Sequence, residues 1–160
     1  LLKHLSMSES TRKMLYVDAD ACPVKEEIVD VCQRHQLRIV FVSSYAHDIH
    51  APENVQVVTV DSDREAVDLY IVNNIKANDI CVTQDHALAS LLLMKNAIVL
   101  SPRGYLFKNE AIEPLLSIRH YAQKQRRTGN DVKGPKSFTT SDRLRFRRQL
   151  ERCIGDLNKG

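Results

Sequence analysis

Five short apolar runs punctuate the 160-residue chain: Met14 to Val17, Arg38 to Val42 (RIVFV), Val55 to Val60 (VQVVTV), Ile80 to Thr83 (ICVT) and Ala97 to Leu100 (AIVL). They are rich in β-branched residues and nearly continuous rather than alternating, which predicts strands buried on both faces. The intervening segments carry helical spacing. Val24, Ile28, Val31 and Cys32 recur after the turn YVDADACP, where Pro23 suits the first helical position because its missing N–H would be unpaired there anyway. Ser62-Asp63-Arg64-Glu65 has the form of a capping box, predicting a helix from Asp63 to about Ala77 that buries Val67, Ile71 and Ile75. Leu88, Leu91 and Leu92 mark a third helix after Asp85. Strands alternating with helices imply right-handed crossovers, hence a three-layer α/β/α fold with a mainly parallel five-stranded sheet.

Beyond Leu100 the pattern changes. Ser101-Pro102-Arg103-Gly104 reads as a loop, Ala111 to Gln123 as a helix with Pro114 in its first turn or at a break, and Thr128 to Ser137 as a flexible connection. Ser141 is expected to cap a last basic helix that runs to about Ile154 and stops at Gly155. Residues 1–13 read as an N-terminal extension with Met7 or Met14 as a natural start, residues 14–154 as one domain and residues 155–160 as a tail.

Composition narrows the class. The chain is 43% hydrophobic and 27% charged, which is ordinary for a soluble globular protein. Cys22, Cys32, Cys81 and Cys153 show neither metal-ligand spacing nor a disulfide framework, and no run is apolar enough to span a membrane, so a reducing cytoplasm is the expected compartment. Net charge is +3 but uneven: residues 119–152 hold 11 Lys/Arg against 3 Asp/Glu, and the remainder is acidic. An acidic part beside a basic surface suits a polyanionic partner, although a solvated basic helix face explains the same numbers.

The acids collect where chemistry is expected. In a parallel α/β sheet, ligands bind beyond the carboxyl ends of the strands. Asp18 ends the first strand with Asp20 on its turn, Asp61 and Asp63 follow the third, and Thr83-Gln84-Asp85 ends the fourth. Asp68 lies on a helical stripe with Ile71, Val72 and Ile75, so it should face the sheet edge. Clustered carboxylates repel unless a cation, shared protons or basic partners neutralise them, and hard oxygens select Mg²⁺ or Mn²⁺. Asp85 as a helix cap and Glu65 as a capping-box partner have structural explanations, whereas Asp18 and Asp20 are not needed to start a helix. The six histidines lack ligand spacing, and Cys22 beside two acids is a poor thiolate.

The segments VDADACPVK, VDSDREAVDLYIV, NDICVTQDHALASLL, SPRG and GPKSFTTSDRLRF together resemble the bacterial YaiI/YqxD family of uncharacterised proteins, over nearly all of Met14 to about Leu150. That family looks like a PIN-type nuclease domain. The resemblance implies PIN-like acids at Asp18, Asp68 and Asp85, adds Asp20, and offers Arg103 of the SPRG loop to a phosphate. Asp63 and Glu65 stand where many relatives have Gly and Asp, and Val67 where they often have Ala.

The leading expectation is a Mg²⁺- or Mn²⁺-dependent nuclease, with RNA the favoured partner. Asp18, Asp68 and Asp85 would hold the metal, Asp20 would be a further ligand or support, and Thr83 would position a carboxylate or the water. Arg103, Arg119 and Arg143 would hold the nucleic-acid backbone. A second reading is a non-catalytic PIN-like domain that binds nucleic acid or protein. A third takes Asp18-Ala19-Asp20 as the D-x-D of a haloacid-dehalogenase-like phosphatase with Ser43 or Ser44 on the phosphate, although the paired acids after the fourth strand are missing. Apolar residues of the C-terminal helices could pack within the domain or across a homodimer.

Overall fold

The structure, a computed structural model, describes residues 13–44, 52, 54–108 and 137–159. Five strands form one sheet, β1 (Met14–Asp18), β2 (Arg38–Ser43), β3 (Val55–Thr59), β4 (Ile80–Val82) and β5 (Ile98–Leu100), in the order β3-β2-β1-β4-β5. Every pair is parallel. Among the described residues four helices cover it: α1 (Lys25–Arg34), α2 (Arg64–Asn74), α3 (His86–Met94) and α4 (Thr140–Lys159). This is the expected three-layer α/β/α architecture.

The period-two alternation of the strands divides the core in two. Leu15, Val17, Ile39, Phe41, Ile80, Val82 and Leu100 face a layer containing Ile28, Val31 and Cys32 of α1 and Phe146, Leu150 and Ile154 of α4. Tyr16, Val40, Val42, Cys81 and Val99 face Val67 and Ile71 of α2 and Leu88, Ala89 and Leu92 of α3. Because Phe146, Leu150 and Ile154 are almost wholly buried within the domain, each contributes about 1.5–3 kcal/mol through burial. The described part of the C-terminal region therefore packs on its own sheet.

The expected ends of three helices move. Pro23 sits ahead of α1 rather than in its first turn: a 3-10 turn, Ala19–Ala21, follows β1, and Val24 takes the N-cap position. The α2 cap is Asp63, whose side chain accepts from the Glu65 N–H at 3.0 Å, so Ser62 is not the capping residue, and the helix ends at Asn74 because Ile75 turns extended. α4 begins with Thr139 and Asp142, not Ser141. Asp142 Oδ2 accepts from the Thr139 N–H at 3.0 Å while Thr139 Oγ1 accepts from the Asp142 N–H at 3.1 Å, a reciprocal capping box. The same helix passes through Gly155 to Lys159, since a side chain there would meet nothing within 4 Å and Leu157 still packs on the core. The expected tail is thus the helix's last turns. The helix expected at residues 111–123 and most of the following connection lie outside the described residues.

Candidate active site at the carboxyl edge of the sheet

The chain leaves β1 for β2 and β3 on one side, then crosses back to β4 and β5 on the other. The carboxyl ends of β1 and β4 therefore border the crevice where strand order reverses, the place an open parallel sheet offers to a ligand. Asp18 ends β1 and Thr83 follows β4 directly, so the two meet there. Thr83 Oγ1 donates to Asp18 Oδ2 at 3.1 Å and accepts from the Asp85 N–H at 3.0 Å. The hydroxyl is 1% exposed with its residue, so its orientation is fixed by these two partners. Asp85, also buried, turns Oδ1 to the Leu88 N–H at 3.0 Å and caps α3. Its structural explanation holds, and a carboxylate carries a second oxygen.

Asp68 of α2 lies close enough to the same face for its charge to reach Cys81 of β4. By strand alternation Asp18 points to the face of Tyr16, the face that α2 covers, and Cys81 of β4 lies on that face among Val67 and Ile71. Burial pushes the Cys81 thiol well above its ordinary value, and the charges of Asp18 and Asp68 push it further. Two carboxylates from separate elements thus press on one buried sulfur. Cys22, beside the β1 turn, is raised to about 11 chiefly by burial, which removes it as a thiolate nucleophile.

Asp20 behaves differently. Its Oδ1 accepts from Ser43 Oγ at 2.6 Å and the Ser44 N–H at 3.1 Å, and its Oδ2 from Ser44 Oγ at 2.5 Å. The carboxylate therefore ties the turn after β1 to the end of β2. Those same serines were the phosphate-binding candidates of the phosphatase reading, and both hydroxyls donate to Asp20. Gln84, between Thr83 and Asp85, donates from Nε2 to the Ala21 carbonyl at 3.3 Å and closes the turn from the other side.

The proposed phosphate-holding arginines sit in a different assembly. Arg103 of the SPRG loop bonds Asp142 at 2.8 Å and lies over the Phe138 ring at 5.4 Å; Arg143 lies over the same ring at 4.9 Å. Arg143 also donates to Glu27 at 3.0 Å and to the Pro23 carbonyl at 2.7 Å, and Arg147 pairs with Asp30 at 2.5 Å. Two arginines of the basic face of α4, Arg143 and Arg147, are thus met by acids of α1. Arg119 lies outside the described residues. The GPKSF tail acquires a purpose: Phe138 is the plate on which both guanidiniums rest. Arg143→Ala should lower stability by about 1–3 kcal/mol, because Glu27 is 7% exposed and would keep its charge without this partner. Urea midpoints measure this; an unchanged midpoint would return Arg143 to the surface charges.

Among the described residues, no group of three or more His, Cys, Asp or Glu side chains is arranged to hold a metal by itself. The donors at the crevice are hard oxygens, since burial keeps Cys81 protonated, and this set suits Mg²⁺ or Mn²⁺ rather than zinc. Mg²⁺ commonly binds through one or two carboxylates, completed by water and substrate phosphate rather than by an all-protein cage. Asp18 and Asp68 are two carboxylates whose charges both reach Cys81. Acids at the opposite edge play another part: Asp79 accepts from the Met14 N–H at 3.0 Å and the Lys76 N–H at 2.9 Å, fastening the amino end of β1.

A family described as "Uncharacterized BCR, YaiI/YqxD family" matches residues 16–156. A UPF0178 protein of Shouchella clausii is 51% identical over 145 residues, 91% of this chain and 94% of that one. A UPF0178 protein of Halalkalibacterium halodurans is 50% identical over 142 residues, covering 89% and 90%, and one of Bacillus pumilus is 44% identical over 156 residues, covering 97% and 93%. No solved structure matches the chain.

Proposed function

The chain belongs to the YaiI/YqxD family, and from the carboxylates at its β1–β4 switch point we propose that it is a divalent-metal-dependent nuclease acting on RNA in the cytoplasm. The observation that carries this reading is the junction at Thr83, which joins Asp18 to the start of α3 while α2 brings Asp68 to the same buried wall. Such an arrangement concentrates negative charge at a ligand-binding edge, where a cation offsets it.

Mg²⁺ or Mn²⁺ would be held by Asp18 and Asp68, with Asp85 beside them. Once bound, the ion supplies Lewis-acid stabilisation of the phosphodiester and a source of hydroxide at neutral pH. The chain's own residues do the positioning. Thr83 holds one Asp18 oxygen in place, Asp20 with Ser43 and Ser44 keeps the turn rigid, and the α2 layer gives a low-dielectric back wall that strengthens each interaction. The region after Arg119 would hold the RNA backbone, with charge from outside the α1–α4 pairs. All four cysteines are free and buried, which agrees with a reducing compartment, and no helix among the described residues is long and apolar enough to cross a membrane.

The non-catalytic reading draws on Asp20 and Asp85, whose bonds serve the fold. Labelled single-stranded RNA and p-nitrophenyl phosphate, each with and without Mn²⁺, separate the readings. Mn²⁺-dependent RNA cleavage is the expected result. Hydrolysis of the small ester alone points to a phosphatase, and RNA retention without cleavage to a binding domain.

A further inference from the structure

Next to the acidic crevice lies a cavity of about 300 Å³ at the carboxyl ends of β4 and β5, lined by Gln84, His86, Arg103, Tyr105, Leu106 and Phe107 together with Ser101 and Pro102. We propose that this cavity is a nucleobase subsite, which receives the base of the nucleotide whose phosphate lies at the Asp18–Asp68 crevice. The proposal rests on the nuclease reading for its phosphate but on its own residues for the base.

Size and chemistry both favour a planar heterocycle. The volume is at the lower end of the ~300–1,000 Å³ range of small-ligand sites, room for a base but not for an extended ligand. Its wall is largely apolar, which disfavours a phosphate as the occupant. The lining includes a cation, Arg103, and no carboxylate, so an electron-rich ring is welcome while an ammonium ligand gains little. Aromatic faces are present: Tyr105 is 58% exposed, and Phe107 is met edge-on by His86 with ring centres 5.3 Å apart. Bases of single-stranded RNA are held by stacking on such rings and by hydrogen bonds to their edges, for which Gln84 and Ser101 supply amide and hydroxyl groups.

The walls are held in place by the fold. Arg145 lies over Tyr105 at 4.9 Å from its ring centre, and its guanidinium donates to the Arg103 carbonyl at 3.2 Å. Arg103 is held by Asp142. The Phe107 N–H bonds the Val99 carbonyl and the Ser101 N–H the Tyr105 carbonyl, so the loop folds back along β5 as a fixed wall. Position links the cavity to the crevice. Gln84 belongs to both, since it lines the cavity and its amide reaches the Ala21 carbonyl on the turn that carries Asp20. The Thr83 N–H bonds the Leu100 carbonyl, joining the Asp18 partner to the strand that leads into the SPRG loop.

Saturation-transfer NMR on the full chain in EDTA tests the subsite without any need for catalysis. The probes are adenosine and uridine monophosphates, ribose 5-phosphate and phenylalanine amide, against wild type, Tyr105→Ala and Gln84→Ala. Transfer to base protons is expected, with none to ribose 5-phosphate, and Tyr105→Ala should weaken it roughly tenfold, as loss of one stacking partner does. Gln84→Ala should change the preference between the two bases, a readout that mere loosening of the loop would not move. No transfer to either base, equal transfer to phenylalanine amide, or transfer indifferent to both substitutions would overturn the proposal. Base binding in a protein that never cleaves RNA would leave the subsite standing and remove the nuclease reading instead.

Discussion

Asp18→Asn should abolish Mn²⁺-dependent RNA cleavage, by about 100-fold or more, while leaving the metal-free protein at least as stable as wild type. The first half follows from the loss of a charged oxygen donor at the switch point. The second half follows from what surrounds it. Asparagine keeps the shape and an oxygen that can accept from Thr83, whose bond to Asp18 is 3.1 Å. It also removes one of two negative charges that press on Cys81, the other being Asp68. Relief of like-charge repulsion should raise the apo melting temperature by up to about 3 °C, the equivalent of roughly 1 kcal/mol in a chain of this size. Wild type should gain stability on adding Mn²⁺, and the variant should not. A variant that is inactive and several degrees less stable would make Asp18 a structural residue; one that still cleaves would remove it from the mechanism.

That trade between stability and charge marks the part of the site that could be read without coordinates. Continuous β-branched runs such as ICV and RIVFV can be strands only where helices cover both faces, so the topology, and with it the crevice beside Asp18 and Asp85, followed from local pattern. Asp68 followed from helix arithmetic. Asp20 did not, because its partners depend on register. Asp18 pairs with Val42, which sets Asp20 level with Ser44 two residues further on, and nothing in the string YVDADACP says so. The partners of the arginines were hidden for a related reason. Arg103 and Arg143 are separated by 39 and 116 residues from Asp142 and Glu27, the acids that hold them, and a basic stretch looks the same in sequence whether its charges face solvent or a neighbouring helix. Helix ends differ from those expected by one to five residues where a single glycine or hydroxyl does not decide them. Gly155 stops nothing because its outward side is open, and the cap of α4 is the Thr139–Asp142 pair.

Gly104→Ala should be the most damaging single substitution in the loop region, costing about 3 kcal/mol or more. Two independent terms add. The residue has φ of +89°, a conformation that costs an L side chain about 1–3 kcal/mol. A Cβ there would also stand 2.7 Å from both the Arg145 carbonyl carbon and the Phe146 nitrogen. Those atoms are helix backbone and cannot swing aside, so α4 or the loop must shift. A shift of α4 would disturb Phe146 and Leu150, both fully buried against the sheet, and a shift of the loop would move Arg103 off Asp142 and displace Tyr105. The glycine of SPRG and the helix that follows the GPKSF segment therefore form one joint. Urea unfolding of Gly104→Ala against a Gly155→Ala control separates position from composition. The control removes a helix glycine in open space, so it should gain up to about 1 kcal/mol. Should the two variants unfold at the same midpoint, the close packing of loop on helix would be wrong, and with it the fixed wall of the neighbouring cavity.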